Sequence, residues 1–116
     1  MNRRKVGEDT EAQARSFLEK EGYRVMESNF RCRQGEIDII AEESDTICFI
    51  EVKYRSSLRC GYPEESVTAD KQRKIIRSAL FYLGLHQISA NVRFDVVSIL
   101  PGEIRLIRNA FEYRNT

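Results

Sequence analysis

The alternation of hydrophobic and polar positions divides the chain into two helix-like and five strand-like segments. Apolar residues recur at helical spacing in residues 8–21 and 68–83. The strand-like segments, which are rich in β-branched and aromatic residues, are 23–30, 35–41, 47–53, 92–100 and 103–109. This order, α-β-β-β-α-β-β, predicts an α/β fold in which helices flank a central mixed β-sheet.

Local signals support the two predicted helices. Gly22 follows the first helix and Gly84 follows the second, and glycine is the commonest residue just beyond a helix end. Thr68 is a good N-cap for the second helix. The apolar positions that should form the buried stripe of this helix are Ile75, Ile76, Ala79, Leu80 and Leu83.

The hairpin formed by residues 35–41 and 47–53 is the centre of the prediction. Both segments carry apolar residues on both faces, which is typical of strands in the middle of a covered sheet. A loop of two or four residues would place Asp38 opposite Glu51, with both side chains on one face. A slip of one residue would send the two carboxylates to opposite faces, so the prediction depends on the length of the turn.

The same register predicts the neighbours of these two acids. Glu36 would face Lys53, and Ile40 would face Phe49. The other face of the hairpin would be wholly apolar, with Ile37, Ile39 and Ala41 opposite Val52, Ile50 and Cys48.

Two opposed carboxylates in a covered sheet need positive charge nearby. Burying them unpaired costs on the order of several kcal/mol. Lys53 lies two residues beyond Glu51 on the same face, roughly 6–7 Å along the strand, and supplies one charge. Mg²⁺ (or Mn²⁺) would supply the rest, because it is commonly bound through one or two carboxylates. The alternative for Glu51-Val52-Lys53 is simple cross-strand ion pairing.

The first helix carries an acidic residue near its expected buried face. Glu11, Ala14 and Leu18 follow one another at i, i+3 and i+7, which puts Glu11 at the edge of the face that should pack on the sheet. One explanation is an ion pair with Arg15, worth a few tenths of a kcal/mol. The other is that Glu11 reaches toward Asp38 and Glu51. Glu8, one turn earlier, is the second candidate for that role.

Basic residues lie beside the predicted acids in three places. They are Arg31 and Arg33 in the turn before the hairpin, Arg55 and Arg59 in the polar loop after Lys53, and Lys71 and Lys74 on the second helix. Such residues are often only solvated, yet together they are the candidates for binding a phosphate backbone. Asp95, in the fourth strand, is a further candidate for the site, although a structural ion pair is the favoured expectation for it.

Composition limits the alternatives. With 116 residues the chain is expected to be one domain, 1–116, with residues 1–6 as a flexible arm. A net charge of +1 gives no general polyanion-binding field, so nucleic acid would have to be held by local clusters. Three cysteines without metal-like spacing predict neither a disulfide framework nor a zinc site. No stretch reads as a signal peptide or membrane span, so a cytoplasmic location is expected.

The chain resembles a known family along nearly its whole length. Asp38 followed by Glu51-Val52-Lys53 looks like the Asp…(Asp/Glu)-X-Lys signature of the restriction-endonuclease-like PD-(D/E)XK nucleases. The whole chain resembles the YraN family of small uncharacterised bacterial proteins. The residues that carry this resemblance are Gly7, Glu11, Ala14, Gly22-Tyr23, Asn29-Phe30, Gly35-Glu36-Ile37-Asp38, Phe49-Ile50-Glu51-Val52-Lys53, Ser66-Val67, Lys71-Gln72 and Arg93-Phe94-Asp95-Val96-Val97.

The resemblance implies a restriction-endonuclease-like core and a Mg²⁺-dependent endonuclease that hydrolyses phosphodiester bonds in DNA. The archaeal Holliday-junction resolvases are similar in their Glu helix, Asp strand and Glu-X-Lys strand, which implies a metal-site role for Glu11, branched DNA as a substrate and a homodimer. Asp38 and Glu51 would ligate the metal, with the Val52 carbonyl as a candidate further ligand. Lys53 would either position the metal-bound water or stabilise charge on the phosphoryl group. Related nucleases also suggest Gln72 near the attacking water.

Two other functions fit the same fold. One is a module that binds DNA or RNA without cutting it, and the other is an accessory subunit whose partner supplies specificity. The near-neutral net charge suits the accessory role. The trio of Asp38, Glu51 and Lys53 favours an enzyme, because a fold kept only for binding has no need of so costly an arrangement.

Overall fold

The computed structural model describes residues 3–113, with side chains described from Asp9 onward. The elements follow the predicted order and are α1 (Arg3–Lys20), β1 (Arg24–Cys32), β2 (Gly35–Glu43), β3 (Thr46–Tyr54), a 3-10 turn (Pro63–Ser66), α2 (Ala69–Leu85), β4 (Asn91–Leu100) and β5 (Glu103–Phe111).

The five strands form one mixed sheet in the order β1-β2-β3-β4-β5. Neighbouring strands are antiparallel except for β3 and β4, which are parallel. Parallel neighbours need a long crossover, and the connection through α2 supplies it. The closing hairpin with an edge strand, predicted for the last two segments, is confirmed as β4 and β5.

Helix α1 covers one face of the sheet. Ala14 and Leu18 are fully buried against a cluster that contains Ile39, Cys48 and Ile50. Gly22 ends the helix as predicted, with a left-handed φ of 99°. The helix begins at Arg3, earlier than the predicted start near residue 8, so of the predicted flexible arm only residues 1 and 2 lie outside the described residues.

Helix α2 covers the opposite face. The Thr68 side chain accepts a hydrogen bond from the Lys71 amide, which confirms the predicted N-cap. The prediction that Gly84 ends the helix is wrong: the helix continues to Leu85, and Gln87 with a φ of 52° follows it. Leu80 was expected in the buried stripe but is 49% exposed, because Ser78 and Tyr82 occupy the inner positions.

The sheet therefore has a core on each side. The cores alternate along the central strands: Ile40 and Phe49 pack beneath α2, whereas Ile39 and Ile50 pack beneath α1. This confirms that the hairpin of β2 and β3 lies in the middle of a covered sheet. No helix within residues 3–113 combines the length and apolar character needed to cross a membrane.

Candidate metal and nucleic-acid site

The predicted register of the central hairpin is confirmed. Glu43 pairs with Thr46 and Ile39 pairs with Ile50, which leaves a two-residue turn at Ser44 and Asp45. The recorded ladder of paired residues ends at Ile39 and Ile50, and Asp38 and Glu51 occupy the next position on each strand. The two carboxyl groups lie close enough there that each shifts the pKa of the other. We call Asp38 and Glu51 the acid pair.

The Asp38 side chain also takes the place of a main-chain acceptor between β2 and β3. One of its carboxylate oxygens accepts a hydrogen bond of 2.8 Å from the Val52 main-chain amide. A regular antiparallel ladder would satisfy such a strand amide with a main-chain carbonyl. The acid pair therefore lies at the end of the ladder between β2 and β3, where a side chain has taken over main-chain bonding.

Ile37, which precedes Asp38 in β2, lies on the opposite face of the sheet from the one predicted. Ile37 was expected to share a face with Ile39, but Ile37 packs in the core beneath α2 and Ile39 packs beneath α1. The strict alternation of a strand is interrupted between them, at Asp38. The predicted approach of Glu36 to Lys53 is replaced by an exposed ion pair of 3.3 Å between Glu36 and Arg31.

The acid pair is short of positive charge. Burial, followed by the Asp38 charge, raises the pKa of Glu51 to about 8. Burial likewise raises the pKa of Asp38, although the Val52 amide favours its charged form. The Lys53 ammonium lies 3.5 Å from Glu51, and both side chains are about one-fifth exposed or less. Lys53 is thus the one ion-pair partner recorded for these two largely buried carboxylates among the described side chains.

The donor set fits a hard divalent cation. No group of three or more Asp, Glu, His or Cys side chains at metal-binding separation occurs in the part of the chain whose side chains are described. Mg²⁺ does not need such a group, because it is bound through one or two carboxylates together with water and substrate phosphate. Two adjoining carboxylates with raised pKa values form the kind of site that a divalent cation would stabilise.

Glu11 lies elsewhere than the resemblance implied. Its carboxylate accepts a hydrogen bond of 2.8 Å from the Asn29 side-chain amide on β1. It forms no three-acid group with the acid pair, and an ion pair with Arg15 is not among those recorded for the described side chains. The side chain of Glu8, the second candidate, lies outside the described part.

Lys71 extends the positive side of the site. It lies on the first turn of α2, and the nearby Lys53 ammonium lowers the pKa of Lys71. Glu51 is close enough to oppose that effect. Gln72, the residue that related nucleases suggested, instead donates a hydrogen bond of 3.1 Å to the Val67 carbonyl.

Lys74 and the β1–β2 turn lie on the same side of the site. A Cβ atom built on Gly35 would come within 3.8 Å of the Lys74 side chain, so α2 rests against this turn. Arg31 and Arg33 flank the turn and are exposed. Lys74 also contacts Asp70 at 3.4 Å, in an exposed ion pair that contributes little energy.

The loop after β3 is a weaker candidate for binding phosphate. The Arg55 guanidinium donates to the main-chain carbonyls of Cys60 and Gly61, so this side chain is used within the loop. Arg59 is exposed. Of the predicted phosphate-binding residues, Arg31 and Lys74 take part only in exposed ion pairs, whereas Gln72 and Arg55 donate hydrogen bonds to main-chain carbonyls.

A second charged cluster lies on the α1 side of the sheet, and we call it the Asp95 cluster. Asp95 is fully buried and accepts hydrogen bonds from Tyr23, Arg93 and the Asn109 main-chain amide. Glu43 binds Arg93 at 2.6 Å and Arg108 at 2.7 Å. The expectation of a structural ion pair at Asp95 is confirmed.

Asn29 is the residue near the site that sequence reasoning missed. Its φ of 55° is left-handed, and asparagine tolerates that region better than most residues. An asparagine inside a predicted strand was the available signal, since asparagine is depleted in strands.

Comparison with known proteins places the chain in a family. The model of the uncharacterised protein family UPF0102 matches residues 10–99, which include the acid pair. A UPF0102 protein of Lachnoclostridium phytofermentans is 46% identical over 114 residues, 97% of each chain. One from Persephonella marina is 49% identical over 107 residues, covering 91% of this chain and 92% of its own. The chain therefore belongs to the UPF0102 family.

Proposed function

We propose that the protein is a metal-dependent endonuclease that hydrolyses phosphodiester bonds in DNA, with the acid pair as its metal site. The observation that carries this proposal is the pairing of Asp38 with Glu51 at the end of a strand ladder, with raised pKa values and one lysine to neutralise them. Perturbed carboxylates with a specific charged neighbour are typical of functional sites.

Each residue of the site has a separate task in this proposal. Asp38 and Glu51 hold Mg²⁺ or Mn²⁺, with the Val52 carbonyl as a further possible donor. The cation supplies positive charge that activates water and offsets charge on the phosphoryl group. Lys53, 3.5 Å from Glu51, offers an ammonium to a phosphate oxygen. The restriction-endonuclease-like core implied by the resemblance belongs to the same proposal.

The substrate backbone would follow the α2 side of the site. Lys71 is close enough to Lys53 for the two ammonium groups to influence each other, and Lys74 lies near the β1–β2 turn that carries Arg31 and Arg33. Phosphates could be held by these cations without reading the bases. Gln72, Arg55 and Arg59 remain proposed contacts, with Arg55 the weakest because its guanidinium is engaged within its loop.

The test compares the protein with its Asp38→Asn variant. This substitution removes the charge but keeps an oxygen that can accept from the Val52 amide, so the fold is expected to survive. Purified protein is incubated with Mg²⁺ or Mn²⁺ and labelled duplex, flap and four-way DNA. The variant is expected to lose cleavage by about a hundredfold or more.

Absence of cleavage, together with absence of Mn²⁺ binding in the native protein, would contradict the proposal. Binding of labelled DNA or RNA without cutting would favour the second candidate, a non-catalytic binding or accessory protein. The lack of a three-acid group among the described side chains favours that candidate, and the net charge of +1 favours its accessory form.

Two further statements belong to the proposal. A homodimer follows from the similarity to the resolvases and is tested by light scattering of the purified chain. A cytoplasmic location is supported by the three cysteines Cys32, Cys48 and Cys60, all of which are free. Free cysteines are typical of proteins in a reducing compartment.

A further inference from the structure

A groove lies between helix α2 and the edge strand β5, which is two strands away from β3. It holds a cavity of about 570 Å³, a volume typical of pockets that bind small organic molecules. Ile76, Ala110 and Phe111 supply its apolar lining, and all three pack with the core beneath α2. The floor of the groove is therefore continuous with that core.

Four polar side chains complete the groove, Gln72 and Arg73 on α2 and Asn109 and Glu112 at the end of β5. Gln72 donates one N–H to the Val67 carbonyl, which leaves its second N–H and its carbonyl oxygen. Within residues 9–113, the hydrogen bond recorded for Asn109 is donated by its main chain, and none is recorded for the Glu112 carboxylate. Donors and acceptors therefore remain for a ligand.

The backbone of β5 is irregular beside the groove. Between the residues that pair with Phe94 and Val96 of β4, β5 has two extra residues, so residues 108–110 stand opposite Asp95 alone. Asn109 lies in the middle of this bulge with a left-handed φ of 54°. Bulges re-aim side chains and are frequent beside functional sites, where strained conformations also concentrate. The main chain of Asn109 thus serves Asp95 while its side chain lines the groove.

The lining limits the class of ligand. The Glu112 carboxylate would repel a phosphate group, so the groove suits a neutral group. Side-chain amides pair with two edge atoms of adenine, and carboxylates accept from the amino group of cytosine. A flat ring on an apolar floor, with an amino group at its edge, matches this lining. Gln72 directly follows Lys71, so a strand whose phosphates lie along α2 could place a base here.

We propose that the groove binds one unpaired base of the nucleic-acid substrate and selects adenine or cytosine over thymine. The base is unpaired because the cavity takes a whole ring and not only its edge. Asn109, Gln72 and Glu112 bond to the edge of the base. Thymine carries a carbonyl oxygen where adenine and cytosine carry the amino group, and this oxygen would repel the Glu112 carboxylate. The inference rests on the proposed function, since it assigns part of the substrate.

Binding of single strands in the absence of metal measures this selection separately from cleavage. The full chain is titrated in EDTA with short labelled strands that contain only adenine, only cytosine or only thymine, and fluorescence anisotropy gives each affinity. The native protein is expected to bind the adenine and cytosine strands about tenfold more tightly than the thymine strand, the effect of one good bidentate contact.

Two variants remove contacts in the groove, and two are controls. Asn109→Gly keeps the left-handed backbone, because glycine adopts positive φ readily, and Glu112→Ala changes an exposed residue after the last strand. Each is expected to reduce the preference to about twofold or less. Asn29→Gly makes the same change at a φ of 55° in the other edge strand and is expected to keep the preference. Lys71→Ala should weaken binding of all three strands alike, because a phosphate contact does not distinguish bases.

Equal affinity of the native protein for the three strands would overturn the inference and leave the proposed nuclease function in place. An undiminished preference in both Asn109→Gly and Glu112→Ala would put the selection outside the groove and would also overturn it. If the preference is found but no DNA is cleaved, the groove stands and the hydrolytic function fails. If no single strand binds, the inference is wrong, and the cleavage test on duplex, flap and four-way DNA decides the function separately.

Discussion

Two aspartates of this sheet have similar main-chain surroundings and opposite electrostatics. Asp38 accepts a hydrogen bond of 2.8 Å from the Val52 amide, and Asp95 accepts one of 2.9 Å from the Asn109 amide. Each donor lies on a neighbouring strand. Each aspartate also has a left-handed asparagine on an adjacent edge strand, Asn29 beside Asp38 and Asn109 beside Asp95.

Their charged neighbours differ. Asp95 faces Arg93, whose guanidinium donates to both of its carboxylate oxygens, and the Tyr23 hydroxyl completes the set. Asp38 faces a second carboxylate, Glu51, with Lys53 as the nearest recorded ion-pair partner of that acid. A buried charge with a full set of partners stabilises the fold. Two carboxylates that repel each other destabilise it, and a bound cation could offset that repulsion.

Replacing each aspartate by asparagine gives the largest expected effect. Asp95→Asn removes a buried negative charge from Arg93 and is expected to lower the free energy of unfolding by about 3–5 kcal/mol. Asp38→Asn removes a repelling charge and is expected to leave stability within about 1 kcal/mol of the native value, or to raise it. Urea denaturation at pH 7.5 measures both changes.

The decisive result is that Asp95→Asn lowers the free energy of unfolding by more than Asp38→Asn does. Equal losses in the two variants would show that Asp38 is as well neutralised as Asp95, and the comparison would fail. Asp38→Ala is an internal control. It deprives the Val52 amide of its acceptor, so it is expected to cost about 1–3 kcal/mol more than Asp38→Asn.

The acid pair and the Asp95 cluster should also change the free energy of unfolding in opposite directions as pH changes. Glu51 has a folded-state pKa of about 8 against an ordinary 4.5, so the folded state retains its proton longer than the unfolded state. Its contribution to stability is present at low pH and is lost as pH rises from about 4.5 to 8. Arg108, with Arg93, lowers the pKa of Glu43, so the contribution of Glu43 is present above 4.5 and is lost as pH falls through its folded-state pKa.

Glutamine at each position isolates these contributions. Glu51→Gln is expected to be more stable than the native protein at pH 9 by about 1–2 kcal/mol, with the advantage vanishing below pH 4.5. Glu43→Gln is expected to be less stable than the native protein at pH 7, with the difference shrinking in acid. Thermal unfolding between pH 3 and 9 measures both. Parallel pH profiles of the two variants would contradict the assignment.

The sequence was informative where local rules decide the structure. The register of Asp38 with Glu51 was predicted for a turn of two or four residues, and the turn at Ser44 and Asp45 has two. The Thr68 cap follows from capping chemistry, which acts over a few residues. The end of α2 was not predictable in this way. Gly84 fits inside a helix as well as after one, and the left-handed residue that follows is Gln87.

The site was predictable only as far as the regular ladder extends. Beyond Ile39, the face of Ile37 depends on the interruption at Asp38, which no period-two pattern contains. The partner of Glu11 lies on β1, 18 residues away, and was set by packing of the helix on the sheet. The Asp95 cluster had a readable signal, because a carboxylate inside an apolar strand needs a cation on the same face, and Arg93 lies two residues away.

The smallest expected effects concern the two left-handed asparagines. Asn109→Gly and Asn29→Gly each keep the backbone conformation and are expected to change the free energy of unfolding by less than about 1 kcal/mol. Alanine at either position is expected to cost about 1–2 kcal/mol more than glycine, because a Cβ atom is strained in the left-handed region. Urea denaturation of the four variants measures this.

Equal losses of stability in Asn29→Ala and Asn109→Ala would show that the left-handed conformation has the same energetic effect in both edge strands. Any functional difference between them would then lie in the side chains, since Asn29 holds Glu11 while Asn109 serves Asp95 through its main-chain amide. A large loss of stability in Asn29→Gly alone would mean that its amide mainly supports the fold. In that case the contact between Asn29 and Glu11 would be structural, as the contacts of the Asp95 cluster are, and would have no role at the acid pair.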